Sequence, residues 1–352
     1  MKCRHCDAQV TLPFVDLGSS PPSNAYLTPA QLHAPESYYP LRVLVCESCW
    51  LVQTEDFAGF DDMFSAEYAY FSSFSSTMLA HVKQYSQEMT TRFGLNASSC
   101  VVEVASNDGY LLKNFKAAGI PCYGVEPTAS TAKAAREIGI ESIEEFFGKK
   151  LANRLVSEGR QADLTAANNV LAHVPDINDF VSGFTLLLKD QGVSTFEFPH
   201  LLNLVDKAQF DTIYHEHFSY LSLTAVNTIF KANGLSVFDV EEIATHGGSL
   251  RVFAQKTSTG KHALSPRVAA MLAREETLGM KTAVYYGKTQ ADAVKIKRDL
   301  LQFLLKAQEE GKTVAAYGAA AKGNTLLNYA GVRDDLVKFV IDLNPAKQNK
   351  FM

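Results

Sequence analysis

The chain has 352 residues, of which 47% are hydrophobic, 11% aromatic and 20% charged. Its 22 Phe and 14 Tyr can fill several cores, which excludes disorder as the main state; at roughly 150 residues per domain there is chain for two or three domains. Thirty-three basic residues against 38 acidic ones give a net charge of −5, whereas a dedicated nucleic-acid binder should carry a basic footprint.

No apolar run reaches the roughly 18 residues of a membrane span, and the N-terminal MKCRHCDAQV lacks the apolar core of a signal peptide. A reducing cytoplasm is expected, with six Cys too few for a disulfide scaffold. Cys3-x-x-Cys6 is followed, after 39 intervening residues, by Cys46-x-x-Cys49. Two such knuckles place four thiolates around one tetrahedral ion, and zinc accepts four soft ligands without redox chemistry. The alternative, a redox pair, needs a strand and helix around one knuckle, and neither has them. His5, between two ligands, is expected to be a bystander. The intervening segment carries Pro13, Pro21, Pro22, Pro29, Pro35 and Pro40, so it should build little core alone and be tied at its ends by the metal.

Beyond residue 66 the pattern changes. Ser72 to Phe93 reads as a helix, Cys100 to Ala105 as a strand, Leu111 to Gly119 as a helix with a glycine cap, and Cys122 to Val125 as a second strand. Ala129 to Ile138 is helical, and Asp163 to Asn168 and Val193 to Phe198 are further strands. Alternating strands and helices imply an α/β, doubly wound parallel sheet. Ser236 to Val240 and Ser249 to Ala254 flank a turn at His246-Gly247-Gly248 and read as a hairpin at a sheet edge. Cys100 and Cys122 sit in apolar runs and are expected to be core thiols. Ser265 to Gly311 is almost wholly helical. A last βα unit joins Thr313 to Tyr317 to the loop Gly318 to Gly323 and leads to a strand at Val337 to Ile341.

Val101 to Gly109 joins a buried strand to a helix, where such sheets bind ligands. Glu126, 17 residues after Gly109 at the end of the next strand, can accept both hydroxyls of a ribose. The loop has a single Gly, with Ala105 where a first glycine would be expected. A pyrophosphate needs closer backbone approach, so a phosphate-free cofactor such as S-adenosylmethionine fits better. Asn107 and Asp108 also suit a turn, and Asn169 and His173 also suit capping and packing.

Glu-Val-Ala-Ser-Asn-Asp-Gly109, Gly124-Val-Glu-Pro127, Asn168-Asn-Val-Leu-Ala-His173-Val and Tyr214-His-Glu-His217-Phe-Ser-Tyr220 follow one another in order. Together with the Cys knuckles and the Gly318 to Asn328 segment, they resemble the nucleotide-sugar C-methyltransferases over nearly the whole chain. The resemblance implies a small zinc-binding module at 1–66 and a central class I methyltransferase Rossmann-like domain at 67–257. It also implies a C-terminal Rossmann-like domain at 258–352, expected to be incomplete because family members continue further. It implies an S-adenosylmethionine site at Glu103, Ala105, Asn107, Asp108, Gly109, Glu126, Asn169 and His173, structural zinc on the four Cys, and a dTDP-linked 4-ketosugar as substrate, methylated at C3. A monomer is expected, with neither nucleic acid nor membrane as partner.

Carbon lacks the lone pair that oxygen and nitrogen offer to a methyl donor. A ketone acidifies the neighbouring C–H, and the resulting enolate carbon can attack. The protein must then supply a base and a donor for the enolate oxygen. By similarity to the family the base is His217, with Glu216 a further polar contact and Tyr214 and Tyr68 donors to the substrate. A straight strand would point Tyr214 and Glu216 away from His217, so the motif is expected to be a turn or a helix start. Lys322 at the last βα turn can meet a sugar-nucleotide diphosphate, and His246 and Arg251 border the substrate in this reading. Two rivals remain at this stage. One is a methyltransferase acting on another ketone or on an oxygen or nitrogen nucleophile; the other is a non-catalytic zinc-ribbon binding protein.

Overall fold

The computed structural model describes residues 1–57 and 71–352. In chain order its elements are β1 (Leu12–Ser20), β2 (Tyr39–Val45), β3 (Val52–Thr54), α1 (Ser76–Phe93), β4 (Val101–Val104), α2 (Leu112–Ala117), β5 (Cys122–Val125), α3 (Ala129–Glu137), β6 (Ser142–Ile143), α4 (Lys149–Ser157), β7 (Ala162–Asn168), α5 (Ile177–Leu187) and β8 (Leu188–Pro199). They continue with α6 (Leu201–Asp206), β9 (Ser219–Tyr220), α7 (Leu223–Ala232), β10 (Leu235–Ile243), β11 (Ser249–Lys256), α8 (Pro266–Thr277), α9 (Ala283–Tyr286), α10 (Lys288–Glu309), β12 (Ala316–Tyr317), α11 (Ala321–Ala330) and β13 (Val340–Ile341). No helix among the described residues is long and apolar enough to cross a membrane.

The chain forms two compact units. One comprises Met1–Met63, Leu201–Tyr220 and Glu276–Met352, the other Phe64–His200 and Leu221–Glu275. In the second unit the strands lie in the order β10-β11-β8-β7-β4-β5-β6. The five strands from β4 to β8 are mutually parallel, because helices return the chain between them. β10 and β11 form the expected hairpin, antiparallel to each other and to β8. β4 and β5 are buried on both faces, and both are apolar runs for that reason save for Glu103 in β4. One core cluster packs Val82, Tyr85 and Met89 of α1 against Val101, Leu111, Leu112, Phe115 and Phe253. In the same unit the buried Glu275 carboxylate caps α7, accepting from Leu223 N and Thr224 N at 2.7 Å each, and pairs with His200 at 2.7 Å.

The first unit holds an antiparallel sheet in the order β1-β2-β3-β9. The Pro-rich segment is thus more regular than expected: Pro13 and Pro40 sit within β1 and β2, with a register irregularity next to Pro13. Its core is not its own. Phe14, Leu17, Leu41, Val43 and Val52 bury against Leu201, Phe210, Ile213, Met280 and Tyr286 from distant stretches. The last βα unit is present in reduced form, β12 and β13 being two residues each and parallel.

Candidate functional site

Three clusters carry chemistry. The first is the thiol set, in the first unit. The sulfurs of Cys3, Cys6, Cys46 and Cys49 all lie within 4.8 Å of one another, with Cys3–Cys49 at 3.5 Å and Cys6–Cys46 at 3.6 Å. A tetrahedron of Zn–S bonds of about 2.3 Å has edges of about 3.8 Å, so the set fits zinc. Gln53 Nε2 donates to the Cys3 sulfur at 3.3 Å, an outer contact of the kind that holds a metal ligand in place. Donation from the Cys49 thiol and from Gln53 brings the Cys3 thiol down to about 4 against its burial, and burial pushes Cys6 up to about 11. Four such sulfurs ionise together only around a cation.

The second cluster lies at the carboxyl ends of β4, β5 and β7, in the second unit. After β4 the backbone turns through left-handed residues at Ala105 (φ 58°), Asn107 (φ 49°) and Gly109 (φ 77°). Ala105 thus occupies the conformation that favours the glycine missing from the sequence pattern. The loop closes on β5: Ser106 N donates to Val125 O at 3.2 Å, and Asn107 N to Glu126 Oε2 at 2.9 Å. Glu126 Oε1 accepts from Thr128 N at 2.9 Å. Burial raises the Glu126 carboxyl, and the N–H groups of Thr128 and Asn107 oppose that rise. A Cβ on Gly124 would meet Ser106 Oγ at 2.1 Å, so only glycine lets the loop approach β5 this closely. From above, Ser72 N donates to Asn107 Oδ1 and Ser73 N to Asp108 Oδ2.

Among the described residues, several buried polar atoms here take no hydrogen bond: Oδ1 of Asp108, Oγ of Ser106 and Oδ1 of Asn168. Burial, and then the nearby Asp108 charge, push Glu103 well above the usual carboxylate range. An acidic crevice with waiting acceptors and no Lys or Arg in residues 105–109 fits a cationic, hydroxyl-bearing, phosphate-free cofactor, as S-adenosylmethionine is. Asn169 directly follows β7 with φ 54°, its N–H donating to Glu197 O at 2.7 Å, and His173 follows in a 3-10 turn.

The third cluster is residues 214–217, in the first unit. They form a turn, His217 N donating to Tyr214 O at 3.0 Å, so the motif is not a straight strand. The Tyr214 and His217 rings lie 4.0 Å apart. His217 Nδ1 faces Thr212 O at 3.0 Å, and its own carbonyl accepts from Thr54 Oγ1 at 2.6 Å. His215 is buried with Nε2 at 3.2 Å from Tyr39 O, and burial lowers its pKa. Glu216 is buried and accepts from Asn24 Nδ2 at 2.6 Å. Nothing near Asn24 in the sequence announces this contact.

The remaining expected residues separate. Tyr68 lies outside the described residues. His246 belongs to the 3-10 turn Thr245–Gly247. Arg251 is buried in β11, its guanidinium gripping Glu197 at 2.6 and 2.7 Å. Glu197 also meets His81 Nε2 at 2.9 Å, an ionic chain the sequence did not signal. Lys322 is the second residue of α11, and its charge offsets the burial that raises the Asp211 carboxyl.

A family model of a zinc binding domain matches residues 3–64, one of a methyltransferase domain residues 78–240, and one of a C-methyltransferase C-terminal domain residues 244–352. The chain is 33% identical over 351 residues to C-methyltransferase NovU of Streptomyces niveus, a match that spans 100% of this chain and 83% of that protein. Among solved structures, magnesium protoporphyrin IX methyltransferase of Synechocystis PCC 6803 with bound SAH is 17% identical, covering 51% of this chain and 83% of that one at a TM-score of 0.40. An S-adenosylmethionine-dependent methyltransferase from Clostridium acetobutylicum is 12% identical, covering 51% and 92% at a TM-score of 0.41.

Proposed function

This chain belongs to the S-adenosylmethionine-dependent, zinc-binding C-methyltransferases, and we propose that it methylates C3 of a dTDP-linked 4-ketosugar through an enolate, as a step in making branched deoxysugars. S-adenosylmethionine supplies an electrophilic methyl group on a sulfonium. Glu126 accepts the ribose hydroxyls, and Glu103 and Asp108 face the cationic amino-acid end, with Asn107, Gly109 and Ala105 shaping the loop. Asn169 and His173 line the same crevice. His217 removes the proton beside the ketone, and Tyr214, Tyr68 and Glu216 hold the sugar oxygens. Lys322 meets the diphosphate, with His246 at the border.

The observation that supports this reading is the 214–217 turn, which sets the Tyr214 ring 4.0 Å from the His217 imidazole beside the buried residue Glu216. An imidazole is the side chain best able to exchange a proton near pH 7. The test is to offer a panel of dTDP-4-ketosugars with methyl-labelled cofactor and read the product by NMR. A labelled methyl bonded to carbon is expected. Label on oxygen or nitrogen, or no turnover with any ketosugar, would overturn the proposal.

A further inference from the structure

We propose that Glu216 works in its protonated form, as a hydrogen-bond donor to the substrate oxygen that gains charge, and that Asn24 is the positioning residue that fixes which of its oxygens carries the proton. The inference rests on the reading of the 214–217 turn given above. Asn24 Nδ2 donates to Glu216 Oε1 at 2.6 Å, so that oxygen serves as acceptor and the proton belongs on Oε2. Among the described residues, Oε2 takes no hydrogen bond and no Lys, Arg or His forms an ion pair with Glu216.

The titratable groups around it are Tyr26 on the same loop, Tyr214, His215 and His217 on its own turn, and Asp342 and Lys347 beyond Tyr26. Burial, opposed by the Asn24 amide, pushes the Glu216 carboxyl up to about 7. A carboxylic acid kept neutral at working pH is a strong donor toward an oxygen that becomes an enolate.

Asn24 is held where this role requires. Ser23 O accepts from Asn324 Nδ2 at 2.9 Å, and Ser23 Oγ lies 3.2 Å from Thr325 Oγ1. Thr325 Oγ1 donates in turn to Ile213 O at 2.9 Å, at the start of the turn. Tyr26 donates to Ala319 O at 2.6 Å, in the loop before α11. One short strap thus knits the turn to the N-terminal end of α11 through buried hydrogen bonds.

The test compares pH profiles of kcat/KM for the full zinc-loaded chain with those of Glu216→Gln, Glu216→Ala and Asn24→Ala. Wild-type activity should fall above neutrality as the donor proton is lost. Glu216→Gln places an amide N–H where the O–H stood, so it should stay within about tenfold of wild type and lose the alkaline fall. Glu216→Ala should lose about a hundredfold. Asn24→Ala removes a donor that favours the carboxylate, so the alkaline fall should move to higher pH. An unchanged Asn24→Ala profile, or an alkaline fall kept in Glu216→Gln, would overturn the proposal. A Glu216→Gln enzyme as impaired as Glu216→Ala would sink the donor role alone, whereas wild-type turnover in both would sink the reading of the turn itself. Infrared difference titration against Glu216→Gln reads the proton without turnover: a carboxylic C=O band persisting at neutral pH is expected, and a band already lost in the ordinary Glu range contradicts the proposal.

Discussion

Ala105 holds a left-handed backbone that costs an L-residue about 1–2 kcal/mol relative to glycine. Ala105→Gly should therefore raise thermal stability by about 1 kcal/mol without weakening S-adenosylmethionine binding; a lower melting temperature would contradict this. His217 offers a different test. His217→Asn should bind the cofactor normally and lose about 10²–10⁴-fold in turnover. Solvent-deuterium exchange at the sugar carbon, followed by NMR, should fall with it, and exchange at the wild-type rate would remove His217 as the base. The residues legible in the sequence were those held in short motifs, where spacing alone fixes neighbours: the four Cys, Glu103 to Gly109, Glu126 and the 214–217 turn. Asn24 was not legible, because it meets Glu216 across 192 residues and lies in a segment that reads only as Pro-rich. The partner of Arg251 was not legible either: its guanidinium meets the buried Glu197 across 54 residues.

At the scale of elements, the βαβ rhythm made β4, β5 and β7 visible, and the bounds of β5 coincide with the apolar run Cys122–Val125. Buried parallel strands have to be continuous apolar runs, which is why they are the easiest to find. β1 and β2 were hidden for the opposite reason, since prolines and exposed polar residues interrupt their alternation. The Glu275 cap of α7 was hidden too, as it arrives from a helix about 50 residues away. Removing that carboxylate leaves His200 and two helix N–H groups buried without their partner. Glu275→Ala should cost about 3 kcal/mol in a chemical denaturation experiment, whereas a loss below about 1 kcal/mol would show that the cap is dispensable.

For the whole molecule, each compact unit is assembled from stretches that are not contiguous in the sequence. Residues 201–220 leave β8 and join the first unit, taking the His217 turn with them. Periodicity cannot report such a departure, because α6 and β9 have the same local pattern in either unit. The zinc site gives a test at this scale. Chelation of the full chain should destabilise the first unit by several kcal/mol, since the metal closes a long loop and supplies folding energy. Hydrogen exchange should then accelerate across β1 to β3 and leave β4 to β8 protected. Uniform acceleration across both units would refute this picture.

The interleaving also bears on how the protein is made. β1 to β3 leave the ribosome first, but the side chains that cover their apolar face come from residues 201–220 and from 280 onward. At about 5–20 residues per second, the newborn sheet waits some 10–50 s for its last cover. Capturing an ion early, as soon as Cys49 emerges, would clamp that sheet during the wait and keep its sticky side from finding a neighbouring nascent chain.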